Sequence, residues 1–99
     1  MIKSAGFRIS PTEVEEALMK TGAFRQVAAI GLPDEWLGQR LCAVAVGVHE
    51  TVDADAALKA VAADLPGHMV PARIDIVATL PTTPNGKVDY KLLVAERSA

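Results

Sequence analysis

Ninety-nine residues with 51 % hydrophobic side chains and a formal charge of −2 describe one small globular domain and exclude a disordered chain. Ten Lys and Arg against twelve Asp and Glu, with no basic block, exclude a nucleic-acid binder that works by neutralising phosphates. One cysteine leaves no internal disulfide, and no apolar run approaches the roughly 18 residues that span a bilayer. Lys3, Ser4 and Arg8 interrupt any secretory signal, so a cytoplasmic chain is expected. With 4 % aromatic residues, the core must be built from Val, Ala, Leu and Ile. At 10.4 kDa such a core is modest, and support from a larger partner is expected.

Punctuation divides the chain into short elements. Met1 to Ile9, with Gly6 between Ala5 and Phe7, reads as a hairpin or irregular strand pair. Ser10-Pro11-Thr12-Glu13 is a capping box with proline at the first helical position. The helix it opens sets Val14, Ala17 and Leu18 on one face, pairs Glu16 with Lys20 on the other, and stops at Gly22. Val27 to Leu32 and Leu41 to Val48 are continuous apolar runs, as expected of strands covered on both faces. Residues 33 to 39 read as a loop carrying Trp36, either a core plug or an interface anchor.

Asp53 caps a second helix whose apolar residues Ala54, Ala57, Leu58, Val61, Ala62 and Leu65 follow helical spacing, and Pro66-Gly67 ends it. Ile74 and Ile76 alternate with Arg73 and Asp75, which predicts a half-exposed edge strand. Asp89 caps a last helix containing Leu92, Leu93 and Val94. The sum is an α+β fold: a small three-stranded sheet with helices on both faces and an N-terminal hairpin.

Two features could carry chemistry. In Leu80-Pro81-Thr82-Thr83-Pro84-Asn85-Gly86-Lys87 the Asn-Gly pair predicts a type I′ turn, with Pro84 stiffening the approach and the Asp89 cap the exit. A lysine held at the tip of such a turn is a cation on a rigid mount, as a positioned electrostatic catalyst requires. The plain alternative is a solubilising lysine on an ordinary hairpin. Gly6, flanked by Lys3 and Arg8, leaves room for a thin ligand or a neighbouring backbone, or is simply a turn glycine.

Other residues offer less. His49 and His68 lack any metal-ligand spacing, so no metal site is expected. Cys42 reads as a buried hydrophobe. Glu13, Glu15 and Glu16 are the acidic residues favoured in a first helical turn. There is neither a P-loop nor a G-x-G-x-x-G motif.

Taken together, four segments resemble one family. Ile2 to Glu15 (IKSAGFRISPTEVE) is similar to the opening of the small C-terminal domain of adenylate-forming enzymes. Val27 to Gly38 (VAAIGLPDEWLG), His68-Met69-Val70-Pro71 and Leu80 to Lys87 (LPTTPNGK) resemble its later segments, in the same order. That superfamily includes acyl-CoA synthetases, the adenylation domains of peptide synthetases, and luciferases.

The resemblance implies a two-step ligase, with residues 1–99 as its mobile C-terminal domain. It implies ATP, Mg²⁺ and CoA in the complete enzyme, none of them bound by this domain alone. Lys87 matches the family's catalytic lysine; Gly6, and with it Arg8, matches the segment lining the pantetheine tunnel. The expected partners are the enzyme's own large N-terminal domain, a carboxylic acid, and CoA or a phosphopantetheine arm. An acyl-CoA synthetase, specialised rather than a housekeeping enzyme of fatty acid metabolism, is the leading expectation. An adenylation domain serving a carrier protein, or a non-catalytic interaction module, is the alternative. Two departures stand out. The family's hinge residue would lie upstream of Met1, as in a piece cut near the domain boundary, and the large N-terminal domain is missing; Tyr90 also replaces a basic residue common after the lysine motif, a change to which no function is attached.

Overall fold

The computed structural model describes residues 1–98. Two hairpins and one crossover build its sheet. Strands β1 (Ile2–Ser4) and β2 (Phe7–Ile9) pair antiparallel with Ser4 opposite Phe7, which leaves a two-residue turn. Strands β3 (Phe24–Asp34) and β4 (Gly38–Gly47) pair antiparallel from Phe24↔Gly47 to Asp34↔Gly38. Strand β5 (Ile74–Ile76) runs parallel to β4, with Ala43 opposite Ile74. A parallel neighbour requires a crossover, and helix α2 (Ala54–Ala62) supplies it.

The three expected strands are thus β3, β4 and β5, with β4 in the middle. Through a bridge between Ser4 and Gly38 the N-terminal hairpin joins the same sheet, raising it to five strands. Gln39 reinforces this short junction, its side-chain oxygen accepting the Lys3 N–H at 2.8 Å.

Strand alternation splits the core in two. Helix α1 (Pro11–Lys20) and α2 cover one face, where Val14, Leu18, Ala57 and Val61 pack on Ile2, Ile9, Ala29, Leu41, Ala43 and Ala45. The opposite face carries Ala28, Ile30, Leu32, Cys42 and Val44, covered by Leu80 and by Leu93 of helix α3 (Tyr90–Arg97). Both faces are therefore clad, as the two apolar runs require, with the first two helices sharing a face. Cys42 is buried as expected.

Each helix starts on a side-chain cap: Ser10 on the Glu13 N–H, Asp53 on that of Ala56, Asp89 on that of Leu92. Only the serine half of the Ser10–Glu13 box forms, at 3.5 Å. The ion pairs among the described residues are Arg97 and Arg73 with Asp75, and Arg97 with Glu96, so Glu16 and Lys20 remain apart.

The expected loop over residues 33–39 shrinks to Glu35, Trp36 and Leu37. Asp34 closes it by accepting the N–H groups of Trp36 and Leu37, both at 2.9 Å, and Gly38 turns the chain back at φ +83°. Those two donors, Leu37 foremost, hold the Asp34 carboxyl below the usual carboxylate range.

Candidate functional site

The segment between β5 and α3 carries Lys87. Thr82 and Val88 form an antiparallel bridge, and inside it the Thr83 N–H donates to the Lys87 carbonyl at 2.7 Å. The Gly86 N–H then donates to Thr83 O at 2.9 Å, so Pro84 and Asn85 are the turn corners. Gly86 has φ +81°, whereas Asn85 stays at negative φ. This is a three-residue loop closed by a glycine bulge, and the type I′ turn expected at Asn85-Gly86 does not form. Proline fixes φ near −65°, the value that the first corner of a type I turn needs, and that choice decides the loop.

Lys87 therefore stands on the returning arm, one residue past the bend. It is exposed, and among the described residues its amine has no ion-pair or hydrogen-bond partner. Buried Leu80 and half-buried Val88 fasten the two arms to the α3 face of the core, and the Asp89 N–H donates to Pro81 O at 2.8 Å.

A contact that sequence reasoning missed ties the exit of this loop to α1. Glu15 Oε2 accepts the Tyr90 O–H at 2.6 Å and the Ala29 N–H at 2.9 Å. Ala29 lies on β3, whose outer edge has no neighbouring strand among the described residues, so the carboxylate caps an edge N–H and a phenol together. Burial first, then the hydrogen bond and charge of Glu15, push the Tyr90 hydroxyl up to about 12. Glu15 is not merely a first-turn acid, and Tyr90 has its hydrogen-bond partner in it. The signal lay in the pair, residues 75 apart, and only the fold joins them.

The type I′ geometry occurs instead at the N-terminal hairpin. Ala5 (φ 52°) and Gly6 (φ +84°) form its two corners, and the Ala5 N–H donates to Leu37 O at 3.0 Å. A Cβ on Gly6 would meet nothing within 4 Å, so its backbone angle, rather than crowding inside the domain, calls for glycine. Arg8 is exposed directly across from Lys3, a like-charge pair without a counter-ion among the described residues. Phe7 stacks on His68, ring centroids 4.0 Å apart, next to the Gly67–Met69 3₁₀ turn. Trp36 is 88 % exposed at the neighbouring hairpin tip, so it is no core plug.

These residues do not form one site. Gly6 and Arg8 sit together on the hairpin rooted in the α1/α2 face by Ile2 and Ile9, whereas the Lys87 loop is rooted in the α3 face. Among the described residues, no three His, Cys, Asp or Glu side chains gather to hold a metal ion. No helix is long and apolar enough to cross a membrane.

Residues 13–87 match the model of a protein family, the AMP-binding enzyme C-terminal domain. Over 94 residues, 95 % of its length, the chain is 38 % identical to a dimodular nonribosomal peptide synthase of Bacillus subtilis and covers 4 % of it. It is 36 % identical over 97 residues to the 2-hydroxy-7-methoxy-5-methyl-1-naphthoate–CoA ligase of Streptomyces carzinostaticus, covering 96 % of this chain and 17 % of the ligase. A Mycobacterium tuberculosis fatty acyl CoA synthetase shares the fold with a TM-score of 0.90 and 28 % identity, across 99 % of this chain and 20 % of that structure. The chain thus spans at most a fifth of these relatives.

Proposed function

The chain belongs to the AMP-binding enzyme C-terminal domain family, and from that membership we propose that residues 1–99 are the lysine-bearing mobile domain of an ATP-dependent acid–thiol ligase, an acyl-CoA synthetase. The observation that carries this reading is the exposed Lys87, its amine without a partner among the described residues, on a loop held by main-chain hydrogen bonds. The ammonium is free to be lent to an active centre on a large N-terminal domain.

In the first half-reaction a carboxylate oxygen attacks the α-phosphorus of ATP. A carbon–oxygen–phosphorus link forms and the bond to pyrophosphate breaks. An ordinary carboxyl, with a pKa near about 4, is already ionised at neutral pH, so no general base is needed. The requirement is positive charge among crowded oxygens, and the Lys87 amine supplies it where acid and phosphate meet. Mg²⁺ supplies further charge neutralisation in this chemistry; the described residues offer no ligand cluster for it, and it is assigned none here.

In the second half-reaction a thiol sulfur attacks the acyl carbon of the adenylate, and AMP leaves as the carbon–oxygen bond breaks. Gly6 and Arg8 are assigned to the path of the thiol's pantetheine arm. Their place on the opposite face from Lys87 supports a domain that turns between steps, presenting first the lysine loop and then the hairpin.

A second reading, an adenylation domain acting on a carrier protein, draws support from the 38 % identity to a peptide synthase. Both acceptors offer a phosphopantetheine thiol. The test is an acid-panel assay on the complete enzyme with CoA and, separately, a phosphopantetheinylated carrier protein. Release of acyl-CoA upholds the first reading. Acylation of the carrier alone upholds the second, and ATP–pyrophosphate exchange with no acid refutes both.

A further inference from the structure

The thirteen residues between Ile76 and Tyr90 contain no regular element beyond the Thr82–Val88 bridge. Leu80 and Val88 press this segment onto the α3 face. Apolar contacts are non-directional, so they fix the depth of the loop more firmly than its tilt. Backbone bonds hold its start, where the Val77 N–H donates to Ala45 O, and Asp89 caps α3; the directional tie to α1 comes at its exit, three residues after Lys87, where the Tyr90 hydroxyl meets Glu15. At 2.6 Å this belongs to the short, strong class of hydrogen bonds.

Glu15 is itself fixed. Its helix is anchored by fully buried Val14 and Leu18, and the same carboxylate oxygen holds the Ala29 N–H of β3. The contact therefore refers the start of α3 to the edge of the sheet, reaching around β3 from one face to the other. We propose that Glu15 and Tyr90 are positioning residues that set where Lys87 stands for the adenylation step. The inference rests on the reading of Lys87 given above and adds the device that orients it.

The rest of α3 is held independently. Leu93 is 1 % exposed, and at the far end Arg97 pairs with Asp75 at 2.8 Å. Loss of the Tyr90 hydroxyl leaves the helix docked and frees its first turn, together with the arm that carries Lys87. The consequence falls on the step that uses the lysine, more than on the fold.

The experiment compares Tyr90→Phe, Lys87→Ala and the double variant in the complete enzyme. It measures adenylation by pyrophosphate exchange and thioester formation from supplied acyl-adenylate. Tyr90→Phe is expected to lower the adenylation kcat about tenfold, since small misplacements of a catalytic group cost up to a hundredfold, with the thioester step unchanged. In the Lys87→Ala background the same change should have no further effect. Glu15→Gln, which keeps an acceptor oxygen, should lose less than Glu15→Ala. An unchanged adenylation rate for Tyr90→Phe, equal losses in both half-reactions, or a full additional loss on top of Lys87→Ala overturns the proposal. If Lys87→Ala itself leaves adenylation intact, the assignment of the lysine fails, a result distinct from failure of the positioning pair.

Discussion

Replacing Ala5 by Asn should stabilise the domain. Ala5 is the one non-glycine residue with positive φ among the described residues, held at 52° as the first corner of a type I′ turn. An L-alanine in the left-handed region is disfavoured by about 1–2 kcal/mol, because its Cβ crowds the following carbonyl oxygen. Asn tolerates that region far better, and Asn-Gly is the preferred pair for this turn. The exposed methyl leaves little packing to lose, and the backbone N–H bond to Leu37 O is kept. The net gain is about 1 kcal/mol, equivalent to a rise in Tm of about 4–8 °C for a domain of this size. Thermal unfolding of the 99-residue chain, followed by circular dichroism, reads it directly. Ala5→Gly should fall between the two, since relief of strain is offset by about 0.5–1 kcal/mol of added freedom in the unfolded chain. A Tm for Ala5→Asn equal to or below that of the parent would show that the turn holds alanine without strain.

Tyr90 and Gly6 give further measurable outcomes. Tyr90 is the chain's single tyrosine, so phenolate absorbance reports it alone; the midpoint should lie at about 12 rather than 10.0, and Glu15→Gln should lower it. Because folding raises this pKa, the associated stability is complete below pH 10.0, declines above it, and is lost as pH rises through about 12, which alkaline unfolding of parent and Tyr90→Phe can verify. Gly6→Leu should cost about 1 kcal/mol of stability through its positive φ, with room available for the side chain in the isolated domain. In the complete enzyme the same substitution should slow thioester formation more than adenylation; an unaffected thiol step would remove Gly6 from the pantetheine path.

Much of the fold was legible because local chemistry and burial agreed. Ser10, Asp53 and Asp89 cap as their residue types suggest, and the two apolar runs are strands clad on both faces. Strand ends were less legible. β3 begins at Phe24, earlier than its apolar run, because its outer edge lets Arg25 and Gln26 face solvent. Near Pro33, Asp34 and Gly38 form a tight turn out of residues that otherwise read as an open loop. Turn type was misplaced for a physical reason: Asn85-Gly86 has the preferred type I′ composition, yet Pro84 directs a bulged loop, while Ala5-Gly6 adopts type I′ under the pull of the sheet junction at Leu37 and Gly38. In the candidate site, Lys87 and Gly6 stood out by motif. The Glu15–Tyr90 pairing did not, because its meaning lies in a contact around a strand edge that no local pattern encodes.

The central claim is that the Lys87 ammonium serves the formation of the acyl-adenylate and no later step. It is tested most directly by the ratio of the two half-reaction rates in Lys87→Ala, measured in the complete enzyme. Loss of one preorganised electrostatic contact predicts a fall of about a hundredfold or more in pyrophosphate exchange, with thioester formation from supplied acyl-adenylate close to the parent rate. Equal losses in both half-reactions, or undiminished exchange, would contradict it.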